Sequence, residues 1–238
     1  MENAEELSKP TRLYVIGDIH GRLDLLDRLI EAIRRDVDEH GKDNLTVTLG
    51  DYIDRGPESR GVIERLLRNP FPGRFVALKG NHEALLETFL DEPAVGSQWR
   101  HLGGLETLHS FGIPVASLMV DRKYDEAAEQ LRSALSQEHT RFLASLKTSL
   151  FVGQYFLCHA GVRPGVPLER QSEQDLLWIR EEFLNSRVNF GKIVVHGHTP
   201  VEEPEVLSNR INIDTGAFAT GRLTCVVLEG ESHRFIST

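Results

Sequence analysis

Five runs of apolar, often β-branched residues in this chain each end on a polar motif of a kind that holds divalent metal or phosphate. Leu13–Ile16 leads into GDIHG, Leu45–Leu49 into GDYIDRG, Phe75–Leu78 into KGNHE, Tyr155–Cys158 into His159-Ala160-Gly161, and Ile193–Val195 into HGHTP. Short β-branched runs bounded by turn residues read as buried strands. A single Asp-x-His is weak, because Asp, His and Gly are ordinary turn residues. The same arrangement at every strand end is a constellation, and it gathers Asp18, His20, Asp51, Asn81, His159 and His198 as candidate metal ligands.

The 238 residues contain no Pro- or Ser-rich linker, so residues 1–238 are expected to form one domain, with 1–10 as a flexible tail. Strand, helix, strand, helix, strand over the first ninety or so residues implies parallel crossovers. One helix is expected after GDIHG, carried by Leu25, Leu26, Leu29, Ile30 and Ile33, and another opening at Pro57. From about Asp91 to Leu150 the pattern turns to helices and loops. Trp99, His101 and His109 in that stretch suit either a substrate groove or packing, and packing is the commoner use. The last third reads as strands over 150–158, 193–195, 210–213, 223–228 and 233–236, with short links that suit antiparallel neighbours, and as one helix near Gln174–Asn185.

A net charge of −9 argues against a nucleic-acid groove or an anionic membrane as the main partner. The first ten residues are polar and acidic, unlike a signal peptide, and no apolar run approaches the roughly 18 residues of a membrane span, so a soluble, cytoplasmic protein is expected. Cys158 and Cys225 are too few for a disulfide framework. Alternation along a strand turns Cys158 away from the side that His159 faces, which makes it a core thiol rather than a ligand.

Two adjacent ions need a bridging anion, and Asp51 is the candidate, with Asp18 and His20 completing one site and Asn81, His159 and His198 the other. Oxygen and imidazole donors without thiolate suit Mn²⁺, Fe or Zn²⁺. Arg55 and Arg180 can each offer a fork to phosphate oxygens. His82, beside Asn81, is placed to act as a general acid if the segment is extended, with Asp54 fixing its tautomer.

GDIHG, GDYIDRG, GNHE, HAG and HGHTP together resemble the PPP-type metallophosphatases, the serine/threonine protein phosphatases, and are most similar to the small bacterial and bacteriophage-lambda type. The motifs span about Leu13 to Gly221. The resemblance implies the calcineurin-like α/β fold, a two-sheet β-sandwich flanked by helices, with a dinuclear metal centre at the strand ends. It implies direct attack on phosphorus by metal-bound water, and the roles above for the six ligands, for Arg55 and Arg180 as phosphate binders, and for His82 with Asp54 as the acid pair. His196 has no role in that pattern.

The expected reaction is hydrolysis of a phosphoprotein or phosphopeptide monoester. The main alternative is symmetrical cleavage of dinucleoside tetraphosphates by relatives that typically lack the aspartate at the Asp54 position and read GNHD, where this chain has Glu83. A metal-binding regulator without activity is a third class, and the intact set of ligands, arginines and His82 gives it no support.

Overall fold

Strands that are apolar on both faces need cover on both sides, and the chain supplies it with two sheets packed face to face and helices outside them. The computed structural model describes residues 6–7, 10–41, 43–115 and 122–238. In chain order its first part contains β1 (Glu6–Leu7), β2 (Arg12–Ile16), α1 (Leu23–His40), β3 (Asn44–Thr48), α2 (Ser59–Leu66), β4 (Arg74–Ala77) and α3 (Asn81–Asp91). The helical stretch follows as α4 (Gly96–Trp99), α5 (Gly104–Ser110), α6 (Tyr124–Ala134) and α7 (Gln137–Ser145). The remainder is β5 (Ser149–Val152), β6 (Tyr155–Cys158), α8 (Glu173–Trp178), α9 (Glu181–Leu184), β7 (Ile193–His196), β8 (Glu205–Val206), β9 (Arg210–Asn212), α10 (Ala217–Thr220), β10 (Thr224–Glu229) and β11 (Ser232–Ser237).

One sheet has the order β11-β10-β2-β3-β4, the other β1-β5-β6-β7-β9-β8. The expected parallel pairing of β2, β3 and β4 is observed. The last third departs from the antiparallel expectation, because β6–β7 and β7–β9 are parallel while β5–β6, β8–β9 and β10–β11 are antiparallel. The segment 150–158, read as one strand, is a hairpin closed by Gly153 and Gln154, with Gly153 at φ +57. Glu6 and Leu7, inside the stretch read as a tail, pair in parallel with Phe151 and Val152.

Period-two alternation divides the core. Leu13, Val15, Leu45 and Val47 meet Leu157, Val195 and Ile211 between the sheets, whereas Tyr14 and Ile16 face the helical layer. There α1 buries Leu25, Leu26, Leu29, Ile30, Ile33 and Val37 along one stripe, each worth about 1.5–3 kcal/mol of removal from water. On the other sheet's outer face Phe156, Cys158 and Val194 pack on Leu176, Ile179 and Phe183. Cys158 is therefore a buried core thiol, as its place in the strand predicts. The expected helix near Gln174–Asn185 is broken in two at Ile179 and Arg180, where Arg180 takes φ −132 and ψ −102.

This topology positions the site. β2, β3 and β4 are parallel, so their C-terminal ends share one edge, and β6, β7 and β9 share another. All five predicted motifs follow those ends.

Candidate metal centre

Five of the seven described non-glycine residues with positive φ are predicted site residues: His20, Asp51, Asp54, Arg55 and His198. Such backbone costs about 1–3 kcal/mol per residue unless surrounding structure imposes it. Here the turns leave the strand ends sharply and aim the side chains at one point. Two glycines make room for it: a Cβ on Gly80 would lie 2.1 Å from Asp51 Oδ1, and one on Gly197 would lie 2.1 Å from Asp18 Oδ1.

Asp51 is central. Its Oδ2 lies 3.4 Å from His20 Nε2 and 3.7 Å from His82 Nε2, and its Oδ1 lies 3.4 Å from His159 Nε2. Two groups of side chains have ligand atoms within 4.8 Å of one another, His20–Asp51–His82 and Asp51–His159–His198, and Asp51 belongs to both. Asn81 joins the second through Oδ1, 2.8 Å from His159 Nε2, and His198 Nδ1 is 3.1 Å from that same nitrogen. Asp18 is in neither group. It is buried close by, its Oδ2 accepting the His198 backbone N–H at 3.1 Å while its Oδ1 has no partner.

The donor set suits cations. His159 Nδ1 faces the Leu49 carbonyl at 3.0 Å and His20 Nδ1 faces that of Ile53 at 2.9 Å, so both rings carry hydrogen there and present a lone pair at Nε2. Burial pushes the His20 pKa down to about 3 and that of His198 to about 2, which keeps both rings neutral. The His159 lone pair then points at a second acceptor, Asn81 Oδ1. Converging lone pairs repel unless they share a cation. Imidazole and oxygen donors of this kind fit two divalent ions about the shared Asp51.

Around these lie two residues, Glu83 and Asp214, to which the sequence alone gives no place in the site. Glu83 is fully buried, and its carboxylate accepts the backbone N–H groups of Asp51 at 2.9 Å, Tyr52 at 2.8 Å and Gly80 at 2.9 Å. It holds the Asp51 turn to the start of α3 and does not face a substrate. Asp214 follows β9 as the other motifs follow their strands. Burial raises its pKa to about 6, and it also raises that of Asp18, which Asp214 and Asp51 raise further. The sequence signal is weaker than at the other strands, an alternating Arg210-Ile211-Asn212-Ile213 before Asp-Thr-Gly rather than an apolar run.

His82 sits in the first turn of α3, not in an extended segment, so the rotation per helical residue separates it from Asn81. Its Nδ1 is 2.6 Å from Asp54 Oδ2, which also accepts the Trp99 indole N–H at 2.8 Å, and Thr107 Oγ1 donates to Asp54 Oδ1 at 2.5 Å. Burial favours neutral His82, but the Asp51 and Asp54 carboxylates outweigh it and raise the pKa. Trp99 is thus a core residue that touches the site through its N–H, whereas His101 and His109 are exposed.

Arg55 Nη2 lies 3.2 Å from His82 Nε2, and its guanidinium stacks 4.5 Å over the exposed Phe218 ring. Arg180, freed from helical geometry by the break between α8 and α9, donates to Thr199 Oγ1 at 3.2 Å. His196 packs edge-on against Phe183 at 5.0 Å, with its Nε2 unpartnered, and burial lowers its pKa to about 3.

Two sheets carrying an Asp/His cluster at their strand ends define a phosphoesterase scaffold. The chain belongs to the calcineurin-like phosphoesterase family, whose profile matches residues 11–225. It is 30% identical over 222 residues to serine/threonine-protein phosphatase 2 of Escherichia coli, covering 89% of this chain and 90% of that one. It is 26% identical to the asymmetrical bis(5'-nucleosyl)-tetraphosphatase PrpE of Anoxybacillus flavithermus, covering 89% and 88%. A solved putative diadenosine tetraphosphatase shares the fold at TM-score 0.68 and 20% identity, covering 98% of each chain. No helix among the described residues is long and apolar enough to cross a membrane.

Proposed function

We propose that this metallophosphoesterase hydrolyses phosphomonoesters of serine or threonine in proteins, using two divalent ions. Asp18, His20 and Asp51 would hold one, and Asp51, Asn81, His159 and His198 the other. When bound, the ions supply Lewis acidity toward the phosphoryl oxygens and a water that is acidic enough to attack at neutral pH.

The chain's own residues do the rest. Arg55 and Arg180 bind the phosphoryl oxygens and orient them. His82 gives its Nε2 proton to the departing serine or threonine oxygen, while Asp54 holds its Nδ1–H and stabilises the protonated ring. The observation that carries this reading is the 2.6 Å His82–Asp54 contact, within the same cluster as Asp51 and Arg55. An alkoxide leaving group needs such an acid far more than a nucleotide phosphate does, because a phosphate leaves as a stable anion.

The name borne by the Escherichia coli relative supports this reading. Relatives named as asymmetrical tetraphosphatases support a second, nucleotide hydrolysis, and they shift that alternative from the symmetrical cleavage expected from the sequence to an asymmetrical one. Metal-loaded protein assayed side by side on phosphoserine and phosphothreonine peptides and on diadenosine tetraphosphate separates the two. Peptide kcat/KM at least equal to that for the nucleotide is expected, and nucleotide turnover with negligible peptide turnover would sink the proposal. Turnover of p-nitrophenyl phosphate distinguishes either enzyme from a non-catalytic metal binder.

A further inference from the structure

Beside the metal centre a groove of 530 Å³ runs between α3 and α8. Its floor is the buried pair Leu85 and Leu177, and one wall is the half-buried Trp178. Gln98, Gln174 and Glu173 form its exposed rim. Two of its lining residues lie near the candidate site. The Trp178 ring centroid lies 6.4 Å from that of His198, and Leu85 lies on the helix that Asn81 and His82 begin.

The composition of the lining says what it can take. Leu85, Leu177 and the Trp178 face offer an apolar surface to one side chain. Gln98 and Gln174 each carry a donor and an acceptor, matching the N–H and C=O of an extended backbone. Among the described residues the lining holds one carboxylate, Glu173, and no Lys, Arg or His. A tetraphosphate extending this way would carry its remaining charge past Glu173, where the one nearby cation, Lys79, is already held by Glu87. Glu173 is itself only loosely paired, 4.0 Å from Lys79 Nζ, which is 2.8 Å from Glu87.

We infer that this groove binds the peptide flanking the phosphorylated residue, seating an apolar side chain on Leu85, Leu177 and Trp178 and a basic one at Glu173. The inference rests on the phosphoprotein reading above and adds a sequence preference to it. It makes Glu173 a specificity residue that touches neither the phosphate nor the metal ligands.

The test is a charge swap between enzyme and substrate. A phosphoserine peptide series carries Lys or Glu at each of three positions on either side of the phosphoserine, with Leu elsewhere. Its kcat/KM is measured on wild-type, Glu173→Lys and Gln174→Lys enzymes, and p-nitrophenyl phosphate, too small to reach the groove, reports on folding and metal loading. At one position the wild type should prefer Lys over Glu by about 3- to 10-fold, as expected of exposed charge pairs. Glu173→Lys should reverse that preference and Gln174→Lys should weaken it, with p-nitrophenyl phosphate turnover held within about twofold. Peptide turnover with the same Lys/Glu ratios in all three enzymes would overturn the groove assignment alone. No peptide turnover beside normal p-nitrophenyl phosphate turnover would overturn it together with the phosphoprotein reading. A Glu173→Lys enzyme that gains diadenosine tetraphosphate turnover while its peptide ratios stay fixed would mark the groove as a polyphosphate path and overturn it too.

Discussion

Glu83 accepts the backbone N–H of Asp51 at 2.9 Å from a position 32 residues further along the chain. A carboxylate can accept every N–H aimed at it, but an amide must turn its NH₂ toward at least one of them. Glu83→Gln should therefore loosen the Asp51 turn, costing about 1–3 kcal/mol of stability for a buried unsatisfied group and lowering metal affinity. Thermal unfolding and metal titration check this. Unchanged metal affinity would show that the turn holds its shape without Glu83.

Asp51→Asn should lose far more activity than Arg180→Ala, because the first removes the charge shared by both candidate ligand groups and the second removes one proposed phosphate clamp that is exposed and bonded to Thr199. Elemental analysis should show less bound metal in Asp51→Asn. Two full equivalents there would refute the bridging assignment.

His82→Asn should slow phenyl phosphate or phosphoserine peptide hydrolysis by roughly 10²–10⁴-fold. It should slow a 2,4-dinitrophenyl ester much less, since that group departs without a proton. Asp54→Asn should act in the same direction more mildly, since it replaces the carboxylate that holds His82, and Trp99→Phe more mildly still, since it removes one partner of that carboxylate. Equal losses across leaving groups would remove the acid role.

Asp214→Asn should make the metal-free protein more stable, since the buried carboxylates of Asp18, Asp51 and Asp214 repel one another. The same change should weaken metal binding. Unfolding midpoints with and without chelator read both effects, and a midpoint that falls in chelator would contradict the repulsion.

The strand ends were legible because two unrelated signals coincide there, an apolar run and a polar motif. Asp214 lacks the first signal, because Arg210-Ile211-Asn212-Ile213 before it alternates polar and apolar residues. The structural role of Glu83 is hidden for a different reason. Its letter in GNHE says nothing about direction, and it takes the turn after β3, with Asp51 at positive φ, to bring the N–H groups of Asp51, Tyr52 and Ile53 to it, while that of Gly80 comes from the start of α3. The break at Arg180 is hidden because apolar spacing continues across it, whereas the hairpin carries a sequence mark, Gly153-Gln154 between two apolar runs, that a single-strand reading of 150–158 overlooks.

The two sheets divide the candidate ligands between them. Asp18, His20, Asp51 and Asn81 hang from one sheet, and His159 and His198 from the other. The His198 N–H to Asp18 contact joins residues 180 positions apart. A chain still being synthesised would therefore carry all three candidate ligands of one ion once β3 had emerged, and would lack only His198 of the other until β7 followed. Completion of that second site would be a late event in maturation, and an ion held there would fasten the two layers to each other.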